Sequence, residues 1–425
     1  MKEFLFGNEL MNKFQSSYKM FHGCTTALVH ITDYIYQALD NAFIVILVLL
    51  DYSKAFDIAN HKLILAKLSA FGFEQSALNW INSYLSSRRQ KVVLESGESS
   101  LVNLENGVPQ GSILGPLLFT VLINDISEVI VNCQYHLYAD DTQIYLKTKV
   151  EDAIDTIIKI NDDLSRISTF SANNSLRINE DKSKFIIFGT NKNISDLAKV
   201  KHIDYAEIIM NDIPIERVFE ARNLGVIFDQ FLNWESHINK LISSAYYRLK
   251  LSYRHAKFLS DDSKLLVVEA YILSLFNYAS PVLQNLTAYT ANKMQKLQNS
   301  CVHFIFGLKK FDHISDCYKK RNILKMEERR NIQCLTLTHN IVLKHAPAYL
   351  VDKITYNADY HDHYTREMDF IRVPRARTNF GHNRFFRKFC SLYNDMKRAI
   401  GFRSTISKLT FKCKIKHFIL KNRVL

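Results

Sequence analysis

Proline is scarce in this 425-residue chain, with six in all, and the sequence contains no low-complexity linker and no internal repeat. With 47% apolar residues, that composition argues against a disordered chain and predicts folded elements throughout, in roughly two or three domains by length. Cysteine pairing signals are missing as well. Cys24, Cys133, Cys301, Cys317, Cys334, Cys390 and Cys413 include no Cys-x-x-Cys pair, which excludes a zinc knuckle of the usual spacing and leaves no disulfide framework. Reduced thiols in an intracellular protein are the expectation. The opening Met1-Lys-Glu-Phe-Leu-Phe-Gly carries no secretory leader, and the longest apolar run, Ala42 to Leu50, is far shorter than the ~20 residues a bilayer requires. That run predicts a buried strand, and no membrane partner is expected. Acid is nearly absent from residues 371–425, where Asp395 stands alone against 15 Lys or Arg; since the whole chain carries +13, the other 370 residues sum to −1. A phosphate backbone suits such a segment through counterion release. The plainer alternatives are a solvated basic helix or an electrostatic match to acidic surface nearby.

Among what is present, Tyr138-Ala139-Asp140-Asp141 is the most informative. Alternation on both sides (Tyr135 and Leu137 before it, Ile144 and Leu146 after it) predicts two short strands meeting at a tight bend that projects adjacent carboxylates. Unpaired carboxylate oxygens suit a hard divalent cation, but two acids make a poor site. Asp51, which ends the apolar run, is the candidate third. Between these segments Gly107-Val-Pro-Gln110-Gly111-Ser-Ile-Leu-Gly-Pro116 forms a loop feeding an apolar helix to about Val129. Helices are expected over about Thr25–Asn41, His61–Phe71, Gln75–Ser86 and Val150–Phe170, the last from apolar residues at 150, 154, 157, 160, 164 and 167. Arg89–Leu94 and Ser100–Leu104 read as a β-pair, and Leu176–Ile178 with Phe185–Phe188 as edge strands. From about Glu235 the strand signal disappears, and helical stretches follow at 235–258, 262–280, 290–307 and Met326–Lys344.

Asp51-Tyr-Ser-Lys-Ala55-Phe56-Asp57, Gly107-Val-Pro-Gln-Gly111-Ser and Tyr138-Ala-Asp-Asp141 occur in this order. Leu176-Arg-Ile-Asn179-Glu-Asp-Lys182-Ser183 follows, then Asn223-Leu224-Gly225-Val226 leading to Trp234 and His237. Together these phrases resemble the reverse transcriptases of non-LTR (LINE-type, jockey-like) retrotransposons. The resemblance implies an α+β fold of the right-hand polymerase type. Its palm would be an antiparallel sheet with helices, accompanied by partial fingers, an all-helical thumb and a basic carboxy-terminal region. The corresponding borders are 1–41 for a fingers remnant, 42–234 for the palm with fingers elements, 235–310 for the thumb, and 311–425 for the helical, basic remainder.

The implied activity is RNA-directed DNA polymerisation, using dNTPs, a DNA primer, an RNA template and two Mg²⁺ (or Mn²⁺) ions. Asp51, Asp140 and Asp141 would be catalytic metal ligands, joined by the backbone carbonyl of Tyr52. Ala55, Phe56, Gln110 and Gly111 would contact the nucleotide, Phe56 by excluding a 2′-hydroxyl. Lys182 would protonate the leaving pyrophosphate, and Leu224-Gly225 would be the primer-grip turn. Core packing is the simpler role for Phe56, a loop-to-helix cap for Gln110, a solvated surface position for Lys182 and an ordinary β-turn for Gly225. Asp57 and His61 read as hydrogen-bonding residues, His61 at a helix entry. The phrase beginning Gln15-Ser-Ser17-Tyr18-Lys19 resembles a family phrase of the type Gln-x-Gly-Phe-Arg-x-x-x-Ser-Thr, with Ser17 in place of glycine, Lys19 of arginine and Cys24 of serine. Upstream fingers strands and an endonuclease are not found, so a nucleic-acid-binding remnant without turnover is the alternative. The nucleus or cytoplasm is the expected location.

Overall fold

A computed structural model describes residues 1–201, 206–360 and 367–422. The chain divides into two compact units, Met1–Gly23 with Phe43–Phe219, and Cys24–Ala42 with Glu220–Leu425. The sequence alone suggested borders after 41, 234 and 310. The helix Cys24–Asp40 belongs to the second unit. It buries twelve of its residues, and its neighbours include the helices Ala348–Val351, Asn379–His382 and Phe385–Ile400.

The first unit is built on a five-stranded sheet. Its strands are β1 (Ile44–Tyr52), β2 (Gln134–Tyr138), β3 (Asp141–Thr148), β4 (Ile178–Phe188) and β5 (Glu216–Arg217), in the order β5-β4-β1-β3-β2. Only the β5–β4 pair is parallel. The apolar run forms β1, buried along nearly its whole length because it is the central strand and is covered on both faces. Helix Ala153–Asn173 places Ile157, Ile160, Leu164 and Ile167 in the same core as Ile46, Val48 and Leu50, as its 3.6-residue spacing requires. The polar loop suits the apolar helix Gly115–Leu122 that follows it, because Pro116 lies in the first turn, where its missing N–H costs nothing. The expected edge strands 176–178 and 185–188 are instead one strand, β4, inside the sheet between β5 and β1. Glu180 to Ser183, polar and therefore read as a gap, form an irregularity within it. The expected pair across 89–104 is also divided: Arg88–Gln90 pairs with Val102–Leu104, and Val93–Leu94 with Gly97–Glu98.

After Cys24–Ala42 the second unit resumes with a hairpin, β6 (Glu220–Asn223) and β7 (Val226–Asp229), closed by Leu224 and Gly225 at φ 42° and 82°. Positive φ at both loop residues matches the right-handed twist of the strands. Asp229 accepts the amide N–H groups of Phe231, Asn233 and Trp234, turning the chain into helix Glu235–Tyr253. Trp234 is fully buried, edge-on to Phe228, and its indole N–H donates to the Gln284 carbonyl at 2.7 Å. Beyond β7 the described residues are helical or irregular apart from an isolated antiparallel bridge between Tyr356 and Ile371, with Ala288–Phe306 and Met326–Val342 the long helices expected there. No helix among the described residues is long and apolar enough to cross a membrane.

Candidate active site

At the β2–β3 hairpin, Tyr138 pairs with Asp141 across a two-residue loop of Ala139 and Asp140. Ala139 is left-handed, at φ 56°, a conformation that L side chains other than Asn and Asp seldom adopt. The amino-terminal segment holds it there. The Ala139 amide N–H donates to both Gln15 Oε1 and Ser17 Oγ, each at 3.0 Å, and Gln15 Nε2 donates to the Ala139 carbonyl at 3.4 Å. Residues 14–16 extend this as a short parallel bridge to β2, through Ser16 N–H to Leu137 O and Leu137 N–H to Phe14 O.

β1 pairs with β3 as far as Leu50–Thr142, so Asp51 follows one step beyond, beside the start of β3. On its other side Asp51 pairs with Asn179, and its amide donates to Ser183 Oγ at 3.3 Å. Burial raises the pKa of Asp140, and the charge of Asp51 raises it further. Asp141 is pushed up to about 6, first by desolvation and then by the charges of Asp140 and Asp51. The structure thus brings the three acids into mutual electrostatic range, a donor set suited to a hard divalent ion. Among the described residues no group of three or more His, Cys, Asp or Glu is disposed to hold a metal ion by itself. A Mg²⁺-like ion here would draw the rest of its shell from water and substrate oxygens, as that ion commonly does.

Tyr52 is buried, its hydroxyl 2.9 Å from Ser171 Oγ, and it pairs with Ile178. Ala55 is buried in the core, and Phe56 is half-buried with its ring stacked on Phe119 at 4.4 Å. The 107–111 loop is clasped onto this segment. Val108 N–H donates to Phe56 O and Gly107 N–H to Ala59 O, and a Cβ on Gly107 would lie 2.5 Å from the Asp57 carbonyl oxygen, so only glycine fits. Exposed Gln110 donates to Asp57 Oδ1 at 2.8 Å, a partner the sequence did not indicate, while Gly111 takes φ 80°. His61 opens its helix, with Nε2 2.8 Å from the Gly107 carbonyl oxygen. Lys182 lies in the irregularity of β4, where one residue of β1, Leu50, faces four, Glu180 to Ser183. Its amide donates to Asn179 Oδ1 at 3.2 Å, and its side chain is exposed. That departure from pairing brings Lys182 to the end of β1 that carries Asp51.

In the second unit, the Tyr278 hydroxyl donates to the Leu224 carbonyl at 2.6 Å and its ring lies over Gly225. The carboxy-terminal basic excess is partly used internally: Arg384 meets Asp33, Lys397 meets Asp369, and Arg398 meets Glu367 and Asp395. Helix Lys408–Lys421 is different. It buries Phe411 and Ile415 while Lys408, Lys412, Lys414, Lys416 and Lys421 stay exposed, and it contains no acid.

The sequence matches the family model for reverse transcriptase (RNA-dependent DNA polymerase) over residues 1–228. It is 26% identical over 310 residues to an RNA-directed DNA polymerase from mobile element jockey of Drosophila funebris, covering 69% of this chain and 32% of the relative. It is also 26% identical over 300 residues to a probable RNA-directed DNA polymerase from transposon X-element of Drosophila melanogaster, covering 68% and 31%. The chain therefore spans about a third of the length of these relatives. A solved telomerase structure from Candida albicans aligns with 79% of this chain and 55% of its own at 11% identity, with a TM-score of 0.35, too low to compare folds.

Proposed function

Because the chain belongs to the reverse transcriptase family, in its LINE-type, jockey-like branch, we propose that it extends a DNA primer on an RNA template with dNTPs. One observation carries this reading: the β2–β3 hairpin and the end of β1 bring Asp140, Asp141 and Asp51 together, and the charge of Asp51 raises the pKa of both Asp140 and Asp141. In this proposal Asp51 and Asp140 are the principal metal ligands, assisted by Asp141 and the Tyr52 carbonyl. Mg²⁺ (or Mn²⁺) held there would supply positive charge against the attacking 3′-oxygen and the departing pyrophosphate. Phe56, stacked on Phe119, would form a wall against a ribose 2′-hydroxyl. The Gln110 amide, oriented by Asp57, would face the incoming nucleotide, with Gly111 permitting close backbone approach and Ala55 supporting the floor. Lys182 would give its proton to the pyrophosphate oxygen on which charge grows. The sheet of the first unit would serve as palm, residues 235–310 as thumb, and Leu224-Gly225 as the turn that holds the primer end. The nucleus or cytoplasm is the proposed location.

The test is primer extension on an RNA template with Mg²⁺. Wild type should incorporate dNTPs and Asp140→Asn should not; equal incorporation by both would remove the metal role of that residue. The exposed lysines of helix Lys408–Lys421 favour a second reading, a nucleic-acid binder without turnover. It requires binding that weakens as salt rises, survives loss of Asp51 and Asp140, and accompanies no incorporation by wild type.

A further inference from the structure

We infer that Gln15 and Ser17 are positioning residues for the carboxylate bend, fixing the direction of Asp140 and Asp141 by locking Ala139 in its left-handed conformation. This rests on the proposed polymerase reading of the bend. Both residues are almost wholly buried, at 1% and 2% exposure, although both are polar. Their polar atoms are directed at the backbone of a single residue, Ala139, and at each other. Ser17 donates its hydroxyl to Gln15 Oε1 at 2.7 Å and its amide to the same oxygen at 3.1 Å. Gln15 Oε1 and Ser17 Oγ in turn accept the Ala139 amide, while the other end of the Gln15 amide reaches the Ala139 carbonyl. Every link spans more than 120 residues of sequence or closes within the pair.

An alanine at φ 56° needs such over-determination, because nothing in its own side chain favours that region. Asp140 follows directly on the chain, so a relaxation of Ala139 swings its carboxylate away from Asp51. The raised proton affinity of Tyr18, due to burial and then to Asp140, fits a phrase lying alongside the acids. The serine at 17 also matters chemically. The phrase it resembles carries glycine there, which has no hydroxyl; in this chain the side chain supplies the second acceptor to Ala139.

The experiment compares Ser17→Ala, Ser17→Thr and Gln15→Leu with wild type, using direct Mn²⁺ titration by electron paramagnetic resonance, the Mg²⁺ concentration for half-maximal primer extension, and thermal melting. Residues that orient metal ligands from behind are typically worth about 10- to 100-fold in metal affinity. Ser17→Ala should weaken Mn²⁺ binding about tenfold and Gln15→Leu about a hundredfold. Ser17→Thr, which keeps the hydroxyl, should restore wild-type binding. Half-maximal Mg²⁺ should rise in parallel, and the melting temperature of Ser17→Ala should stay close to wild type. If Gln15→Leu does not fold, the Ala and Thr variants at position 17 decide alone. Wild-type Mn²⁺ affinity in a folded Ser17→Ala or Gln15→Leu variant overturns the inference and leaves the polymerase reading standing. A wild-type protein that neither binds Mn²⁺ nor incorporates dNTPs overturns both.

Discussion

Asp33 in the second unit and Asp140 with Asp141 in the first are carboxylates in opposite surroundings. Asp33 has no exposed side-chain surface, yet Lys353 Nζ stands 3.3 Å away and Arg384 Nη2 3.1 Å away. Burial alone would raise its pKa, but the two cations hold it below the usual carboxylate range. Asp140 and Asp141 are less enclosed but are shifted the other way, and the charges acting on them are other acids. A carboxylate that only holds helices together is neutralised by its own protein. A carboxylate left repelling its neighbours costs stability unless something outside the chain supplies positive charge, which is why the contrast marks the bend as a site.

The sharpest way to break the comparison is to remove one acid from each place. Asp140→Asn should lower primer extension by more than about a thousandfold, since offsetting charge at the reacting oxygens is worth several kcal/mol, while the metal-free protein melts no lower than wild type. Asp33→Asn should do the reverse. Breaking a buried pair strands the two cations and costs about 3–5 kcal/mol, read as an earlier urea midpoint for the unfolding of the second unit. If Asp140→Asn destabilised the metal-free protein as much as Asp33→Asn does, the bend would be structural and the distinction lost.

Much of this was legible in the sequence. The apolar run ending at Asp51 is the central strand, the alternation around Tyr138–Asp141 is the hairpin, and the spacing from Ile154 to Ile167 is the helix beneath the sheet. Periodicity reports these because each is a local consequence of burying one face or both. It says nothing about which distant segment supplies the cover. The helix Cys24–Asp40 was recognisable as amphipathic, but its partners near residues 348–400 share no pattern with it. Gln15 and Ser17 lie in a phrase that was recognised, yet their grip on Ala139 depends on a parallel bridge that no repeat announces. The irregularity of β4 was hidden for a different reason. Glu180-Asp181-Lys182-Ser183 is polar, so it reads as a break between strands, when it is the place where one strand bows out and carries Lys182.

That bowed stretch supports a smaller effect. Lys182→Met should reduce the maximal rate about a hundredfold, the low end for a general acid, with the KM for dNTP nearly unchanged. A rise in KM at constant rate would make Lys182 a binding cation instead, and no change at all would leave it a solvated surface residue.

The finest difference between the two kinds of carboxylate is the sign of their pH dependence. Asp141, raised to about 6 in the folded protein, titrates near about 4 when unfolded. Below about 4 both states are protonated and the residue contributes nothing. Between about 4 and 6 the folded state still holds a proton that the unfolded chain has released, so folding stability falls as pH rises through that window. Asp33, with its pKa lowered, contributes stability that is complete above the unfolded value and is lost as pH falls through the folded one. In metal-free protein, urea unfolding of wild type against Asp141→Asn should therefore show the wild type losing ground from about pH 4 to 6, and the Asp33→Asn comparison should show no such loss. Saturating Mg²⁺ should flatten the Asp141 difference, because a cation that binds the ionised carboxylate pulls its pKa back down. A pH slope identical in Asp141→Asn, with or without Mg²⁺, would mean that Asp141 is not held against its neighbours' charge.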